Sequence, residues 1–434
     1  MSARPTPTNS EYEFRTIVPK DDPETTEWFA AGSLGFHDPV RSPDTVRRTL
    51  RDYQSDERVL TGVYTANRPP RAWETIRPVA TFSAFVKAIN VGGGNFLDAQ
   101  LIADVSVRST HRRRGLLREM MAASLRRAVE NGTPLAALNA SEATIYGRFG
   151  FGPSIYTRQV EVDTGEKFAL RHSPAGGVEV TDPSTLLDLA PEIFDRFHVQ
   201  TLGSVERHAA YPARVLGLWA EDGHAPDTRV RAALHYDPAG NIDGYVTYKT
   251  TDWVDDPTRT ITVLDLVGTT PDAYLGLWEY LASIGLTNSI IVVNASMADA
   301  LQWALVDVRG FKVTAEDDAL WLRVLDPVAA LEARPYDVDG EVTIALTDSL
   351  GIADGVYTLS VAEGAATVTK HEDAEATSAD VSMDISVLGS LYFGGIHARV
   401  LARAGRISTT SDAALDTLDV LLAQKEPAYC ITRF

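Results

Sequence analysis

The stretch Asp104-Val105-Ser106-Val107-Arg108-Ser109-Thr110-His111-Arg112-Arg113-Arg114-Gly115-Leu116-Leu117 carries the chemistry most open to reading in this chain. An apolar strand-type run stops at a polar turn, and three arginines and a glycine then open a helix. A helix N-terminus offers unsatisfied N–H donors and a partial positive charge, which makes it a seat for an anion. Gly115 has no Cβ and lets a phosphate approach the backbone. Arg112, Arg113 and Arg114 can add charge-assisted contacts. The pyrophosphate of an acyl-CoA suits such a seat. The strand edge near Val105 and Val107 can pair with the two amides of a pantetheine arm as another strand would. Two parallel strands that splay beyond Val107 and Asn139 would open a slot for that arm. The competing readings are a solvated basic helix start and a nucleic-acid patch. The acidic balance of the chain and the lack of further basic clusters nearby speak against nucleic acid.

Transfer of an acyl group to an amine needs a base for the amine proton and an acid for the departing thiolate. Tyr146 lies seven residues past Asn139, on a helix expected from Glu142 to Arg148. A phenol with a pKa near ~10 is protonated at neutral pH and can donate to sulfur. A lone tyrosine is ordinarily a half-buried core aromatic, and it is the place beside the slot that makes Tyr146 a candidate acid.

The elements that must position these residues follow from periodicity. In the first segment a helix is expected from Asp21 to Ala31, with strands at Arg58 to Ala66, Pro78 to Ala88 and Ala99 to Val107. Leu116 to Glu130 reads as a helix, because Leu117, Met120, Met121, Ser124, Leu125 and Ala128 recur at i, i+3, i+4 spacing. Asn131-Gly132 ends it. Leu135 to Asn139 and Tyr156 to Val162 complete the strands. A linker is expected at His172-Ser173-Pro174-Ala175-Gly176-Gly177. The second segment repeats the theme, with a helix at Pro183 to Val199, strands at Val230 to Tyr236, Gly244 to Thr250 and Thr260 to Val267, then a helix at Pro271 to Ile284 and a strand at Ser289 to Val293. Nothing after Val267 resembles Arg-Arg-Arg-Gly, so the second unit lacks the anion seat. The third segment has strand-like runs at Val342 to Ala345, Gly355 to Val361 and Ala366 to Lys370, and helical runs at Asp384 to Phe393 and Asp412 to Leu422. It reads as a mixed α+β domain.

Composition sets the bounds. At 434 residues, two or three domains are expected. No run of about 18 apolar residues exists, so no membrane span is expected. Met1 to Glu13 lacks the charged start and apolar middle of a secretory signal. Cys430 is the only cysteine, which rules out a disulfide within the chain and a Cys-based zinc site, and fits a reducing cytoplasm. The net charge of −19 repels nucleic acid and anionic lipid and favours a cationic substrate, alongside its plain effect on solubility.

Beyond these readings, the chain resembles the Eis (enhanced intracellular survival) family of GNAT acetyltransferases. The resemblance runs through Ser109-Thr110-His111-Arg112-Arg113-Arg114-Gly115-Leu116-Leu117, Leu135-Ala136-Ala137-Leu138-Asn139-Ala140-Ser141-Glu142 and Ile145-Tyr146-Gly147-Arg148-Phe149-Gly150-Phe151-Gly152-Pro153. It continues at Leu320-Trp321-Leu322-Arg323, Ala329-Ala330-Leu331-Glu332-Ala333-Arg334 and Leu388-Gly389-Ser390-Leu391-Tyr392. It implies an α/β (α+β) fold with tandem GNAT-like domains, an N-terminal acetyltransferase domain at 1–166 and a second at 167–325 without the CoA motif, followed by a sterol-carrier-protein-like domain at 326–434. It implies a homohexamer and a cytoplasmic enzyme that uses acetyl-CoA and no metal, with no nucleic-acid or membrane partner. Val105, Ser106 and Val107 match the residues that hold pantetheine. Arg113, Arg114, Gly115, Leu116, Leu117 and Arg118 match the pyrophosphate turn, and Ser141 and Glu142 line the acyl site. Tyr146 matches the general acid, and the terminal carboxylate on Phe434 matches the base, acting through water. Phe36 and Asp38 match an aromatic and an acidic residue of the substrate pocket.

The resemblance implies N-acetylation of amines, with aminoglycosides as acceptors at one or more positions. Protein lysines or polyamines are the alternative acceptors. An acyl-CoA or lipid-binding sensor is the alternative of another class. Three departures stand out: Leu117 where the broader GNAT pattern has a small residue, Asn139 where some relatives carry His, and Arg433 where some carry an acid.

Overall fold

A computed structural model describes residues 11–67, 69–165, 168–219, 225–251, 259–372 and 375–434. The first segment supplies strands β1 (Tyr12–Ile17), β2 (Val59–Thr65), β3 (Ala80–Gly92), β4 (Asn95–Val107), β5 (Leu135–Leu138) and β6 (Gly152–Asp163), with helices α1 (Pro23–Phe36), α2 (Pro43–Ser55), α3 (Leu116–Glu130) and the short α4 (Ala143–Tyr146). The second supplies β7 (Gly177–Thr181), α5 (Leu186–Gln200), α6 (Tyr211–Val215), β8 (Arg231–Tyr236), β9 (Ile242–Thr250), β10 (Thr260–Gly268), α7 (Pro271–Ser283), β11 (Ser289–Ser296), α8 (Leu301–Ala304) and β12 (Phe311–Val324). The third supplies α9 (Pro327–Ala333), β13 (Gly340–Thr347), β14 (Gly355–Ala362), β15 (Ala365–His371), β16 (Val381–Asp384), α10 (Ile385–Leu391), α11 (Ala398–Arg403), β17 (Ile407–Thr409) and α12 (Asp412–Leu422).

Local chemistry accounts for the helix limits. Asp22 caps α1 by accepting from the Thr25 N–H at 2.8 Å, with Pro23 in the first turn, where its missing N–H is no loss. The helix does not stop at Ala31, the end that the sequence predicts, but runs through Gly32 and Gly35 to Phe36 and ends at left-handed His37. Packing of its buried face overrides the low helix propensity of glycine. Helix α2 was not expected. Ser42 caps it, and Leu50 and Tyr53 form its buried face among many charged residues. Helix α3 buries Leu116, Met120, Met121, Leu125 and Ala128 and exposes its arginines, as its spacing requires. The expected helix from Glu142 to Arg148 is one α turn, followed by a 3-10 turn over Gly147–Phe149. Asp384 closes strand β16 and caps α10 rather than opening a helix itself.

Among the described residues, strands of the first two segments form one sheet, in the order β1-β2-β3-β4-β5-β12-β6-β11-β10-β9-β8-β7. β12, the last strand of the second segment, lies between β5 and β6 of the first. It pairs antiparallel with β5 through Trp321↔Leu138 to Val324↔Leu135 and with β6 from Phe311↔Val162 to Leu322↔Gly152. β6 in turn pairs with β11 of the second segment. The two units are thus joined by shared backbone hydrogen bonds. The third segment has its own five-stranded sheet, β15-β14-β13-β16-β17. Its apolar face and the floor of the large sheet share one core, in which Leu322, Val324, Ile385, Leu388 and Leu391 meet. No described helix is long and apolar enough to cross a membrane.

Arg323 on β12 locks the third segment to the first. Its guanidinium is fully buried, pairs with Asp348 Oδ2 at 2.6 Å and donates to the Phe149 carbonyl. Gly150, at φ +78°, follows that carbonyl, and a Cβ there would strike the guanidinium. The Asp348 carboxylate also accepts from the N–H groups of Leu350, Ile352 and Ala353. Burial works against both charges. It holds the Arg323 guanidinium below its ordinary value. For Asp348 burial raises the carboxyl, but the Arg323 charge and the backbone donors outweigh it and leave it below the usual carboxylate range.

Removing one partner of such a pair leaves a buried charge uncompensated. Asp348→Ala is therefore expected to lose about 3–5 kcal/mol of stability at neutral pH in urea unfolding. Because the native carboxyl is lowered, the pair's contribution is present above the unfolded value of about 3.9 and is lost as pH falls through the native one. An Asp348→Ala protein that matches the parent at pH 7 refutes this role.

Candidate active site

The slot arises where β4 and β5 part. The two run parallel and paired from Ala99↔Leu135 to Ile102↔Leu138. There β5 ends, while β4 runs on to Val107 with its other edge still held by β3 at Thr81↔Ser106 and Ala80↔Val107. A β-bulge drives the divergence: Thr81 faces Ser106 and Ser83 faces Ala103, so Asp104 and Val105 together oppose Phe82. Asp104 takes a left-handed conformation, φ +53°. Its carboxylate accepts from Tyr53 Oη at 2.8 Å and Ser83 Oγ at 2.6 Å, and its carbonyl from Thr81 Oγ1 at 2.8 Å. The unforeseen helix α2 thus supplies, through Tyr53, a clamp on the bulge.

The turn before α3 has a backbone shape that suits an anion. Arg113 at φ +64° and Gly115 at φ +80° are both left-handed. Such a turn can present successive backbone N–H groups toward one point, at a cost of about 1–2 kcal/mol for the non-glycine residue. Arg113 and Arg118 are exposed, whereas Arg114 leans on β1, donating to Tyr12 Oη at 2.7 Å. His111, half-buried, is held below its ordinary pKa by burial and by the charges of Arg108 and Arg114.

A cleft of about 480 Å³ runs along this turn and the splayed strand end. Val105, Ser106, Val107, Arg113, Arg114, Gly115, Leu116, Leu117, Arg118, Ser141, Glu142 and Tyr146 all line it, and so does Phe36. Asp38 does not; it is exposed on the turn after α1, its N–H bonded to the Ser33 carbonyl at 2.9 Å. Gly35, Ile145, Arg148 and Phe149 also line the cleft and were not expected there. Gly35 presses α1 against β4: a Cβ at this position would lie 2.4 Å from Ser106 Cβ.

Tyr146 is buried, 5% exposed, with its ring edge-on to Phe151 at 6.5 Å. Burial raises its phenol above the ordinary value, Ser141 opposes this by a hydrogen bond, and Glu142 adds to the rise. The group is protonated at neutral pH. The other two segments brace it: Arg323, on β12 of the second, holds the Phe149 carbonyl, and Ser349 Oγ of the third donates to the Arg148 carbonyl at 3.0 Å.

Residues 429–434 thread between the first two segments. Tyr429 N donates to the Leu202 carbonyl at 2.8 Å, Tyr211 Oη to the Ile431 carbonyl at 3.2 Å, and Thr432 Oγ1 to the Val205 carbonyl at 2.7 Å. Phe434 N donates at 2.8 Å to Asn139 Oδ1, at the point where β5 ends. Asn139 also donates to the Ala319 carbonyl of β12 at 2.6 Å, so one amide joins β5, β12 and the tail. The Phe434 ring packs edge-on to Phe85. Cys430 is buried, and burial pushes its thiol up to about 11, so it is a poor nucleophile. Beyond the tail, Ile431 and Arg433 line a separate cavity of about 600 Å³ between α2 and the second segment. Among the described residues no cluster of His, Cys, Asp and Glu is placed to hold a metal ion.

Residues 18–154 and 203–324 each match an acetyltransferase (GNAT) domain family, and residues 327–431 match a sterol carrier protein domain family. The chain is 35% identical to N-acetyltransferase Eis of Mycobacterium tuberculosis over 356 residues, which cover 80% of this chain and 83% of that one. It is 33% identical to an uncharacterized N-acetyltransferase of Streptomyces griseus over 428 residues, 96% of this chain and 98% of the other. Its fold is that of Eis1 from Mycobacterium abscessus, with a TM-score of 0.79 at 24% identity over 97% of this chain and 100% of that one. A GCN5-related N-acetyltransferase from Anabaena variabilis matches with the same TM-score, 0.79, at 19% identity, again over 97% and 100% of the two chains.

Gly35→Ala tests the packing that shapes the cleft. Its Cβ would part α1 from β4 at Ser106, with an expected loss of about 1–3 kcal/mol in stability and weaker binding of coenzyme A by calorimetry. Parental stability and affinity would show that α1 yields without disturbing the strand.

Proposed function

The chain belongs to the Eis family of GNAT N-acetyltransferases, and from that premise we propose that the cleft between β4 and β5 seats acetyl-CoA for direct transfer to an amine. The observation that carries this reading is the strand edge from Ala103 to Val107, left without a partner on the β5 side and continuing into the left-handed basic turn. The free edge suits two amides, and the turn with Arg113 and Gly115 suits a pyrophosphate. When bound, acetyl-CoA supplies the activated acyl group as a thioester.

In this proposal the amine attacks the thioester carbonyl, a C–N bond forms and the C–S bond breaks. Tyr146 gives its phenolic proton to the departing sulfur, a role that its protonated state at neutral pH and the bracing by Arg323 support. The amine proton passes, through water, to the carboxylate of Phe434, whose backbone Asn139 fastens beside the end of β5. Ser141 and Glu142 border the acyl end, and Phe36 stands at the cleft wall.

The acceptor lies on the tail side of the cleft, and we assign aminoglycoside amines as its class because of the likeness to Eis. Arg433, on the wall of the separate cavity beyond the tail, favours a second reading. A cation there opposes a polycationic acceptor, and a single lysine side chain or a polyamine would suffer less. We further propose a homohexamer on the family resemblance, with a sedimentation experiment as its test.

Thiol release from acetyl-CoA, measured with kanamycin, neomycin, spermidine and a lysine peptide as separate acceptors, decides between these. Release with an aminoglycoside supports the first reading, and release with peptide or polyamine alone supports the second. Tight binding without release in any case would mark an acyl-CoA sensor. Tyr146→Phe is expected to lower turnover by about 10²–10⁴-fold with coenzyme A binding unchanged; undiminished turnover removes Tyr146 from the acid role. Residues appended after Phe434 are expected to abolish turnover, since they displace the carboxylate, and full activity in a C-terminally tagged protein overturns that assignment.

A further inference from the structure

Between β3 and α6 the chain crosses the junction of the first two segments as Glu206-Arg207-His208-Ala209, and each residue fastens to something different. Glu206 takes Lys87 Nζ at 3.1 Å and the Ala88 N–H at 3.2 Å. Arg207 grips Asp265 with two bonds of 2.8 and 2.7 Å. Ala209 N donates to Asp56 at 2.9 Å. His208 alone is turned to the tail, with its Nε2 2.9 Å from the Arg433 carbonyl, one residue from the chain end.

A carbonyl can only accept, so Nε2 carries the hydrogen and the neutral ring leaves a lone pair on Nδ1. That Nδ1 is buried with no hydrogen-bond partner among the described residues. The ring lies edge-on to Phe85 at 6.3 Å and to Tyr211 at 5.8 Å. Phe85 also packs against the Phe434 ring at 6.2 Å. A half-satisfied imidazole in such a place is unfavourable for stability, and a phenyl ring would fill the same space without an orphaned nitrogen. Something other than packing is served by the N–H. Burial and the nearby Arg58 and Arg214 charges hold the ring near a pKa of about 4, against the Arg433 carbonyl and Asp56, so it is neutral and keeps this tautomer in the working range.

We propose that His208 is a positioning residue for acetyl transfer: it grips the Arg433 carbonyl and thereby aims the Phe434 carboxylate at the attacking amine. Asn139 holds the Phe434 N–H from the first segment while His208 holds the preceding carbonyl from the second, so the last peptide group is fixed from both sides. The second unit, without an anion seat of its own, then acts in the reaction through this grip. The inference rests on the reading of Phe434 as the base.

The test compares His208→Phe, His208→Gln and a protein with residues appended after Phe434, all as full chains. His208→Phe keeps the ring and removes the donor; its melting temperature is expected to equal or exceed the parent's, and kcat to fall by about 10²-fold, as for a misplaced group of about an ångström. KM for acetyl-CoA is expected to stay unchanged. His208→Gln, which can donate again, is expected to recover part of the lost kcat, a rescue that a purely structural role does not give. Parental kcat in His208→Phe, alongside an inactive tail-extended protein, overturns the role of His208 and leaves Phe434 as base. A fully active tail-extended protein overturns both. If His208→Phe does not fold, His208→Leu takes its place: a kcat lost in His208→Leu and partly recovered in His208→Gln supports donation, and equal kcat in the two refutes it.

Discussion

Strand β12 fills the place between β5 and β6, and most of the structure depends on its backbone pairing there. A short strand such as β5, with four residues, cannot hold its position by one neighbour alone, and its far side would be an exposed edge. β12 supplies that second neighbour from a point almost 200 residues further along the chain. With β5 fixed on both sides, β4 is free to diverge from its end, and the slot opens where the bulge at Asp104 bends the longer strand away. From the same β12 strand, Arg323 reaches Phe149 and Asp348, and the Ala319 carbonyl takes the Asn139 amide. One strand therefore sets the slot, braces the helix turn that carries Tyr146 and anchors the residue that holds the tail.

This arrangement ties three units around the slot, and one core runs through all of them. The first unit brings the anion seat and the phenol. The second has no such seat, but it lends β12 to the sheet and residues 203–209 to the edge of β3 that β2 does not reach, where Asn90 N donates to Ser204 O at 3.0 Å. The third unit presses Asp348 and its loop under the Tyr146 turn and sends the tail back across the first two. Buried charge carries much of this, through Arg323–Asp348 and Arg207–Asp265. Such pairs are weak evidence for net stability. Their geometry, in which each guanidinium also touches a backbone carbonyl or a phenol, fits a task of orientation.

Much of the local structure is legible in the sequence. The spacing from Leu116 to Ala128 and the Asn131-Gly132 stop place α3 at its observed limits, because a helix face and its cap are properties of a few neighbouring residues. The turn at Arg112 to Gly115 was legible for the same reason, as were Asp412 to Leu422 and most strands. The amphipathic α2 was missed although Ser42-Pro43 caps it and Val46, Leu50 and Tyr53 share one face; its crowd of charges hid a short apolar stripe. Glycines at 32 and 35 concealed the last turn of α1.

What the chain alone determined is the chemistry on offer: an anion seat, a phenol beside it, a second unit without the seat, and no cysteine pair. Tertiary structure decided which groups meet. Strand partners separated by well over a hundred residues, such as Trp321 and Leu138, are chosen by complementary burial over whole faces, which no local period records. The grip of Asn139 on Phe434 and of His208 on Arg433 has the same origin, since no local pattern records that folding brings an N–H or a carbonyl within 3 Å of either side chain. The exposure of Asp38 on the turn after α1 was decided there too, by the direction in which α1 ends.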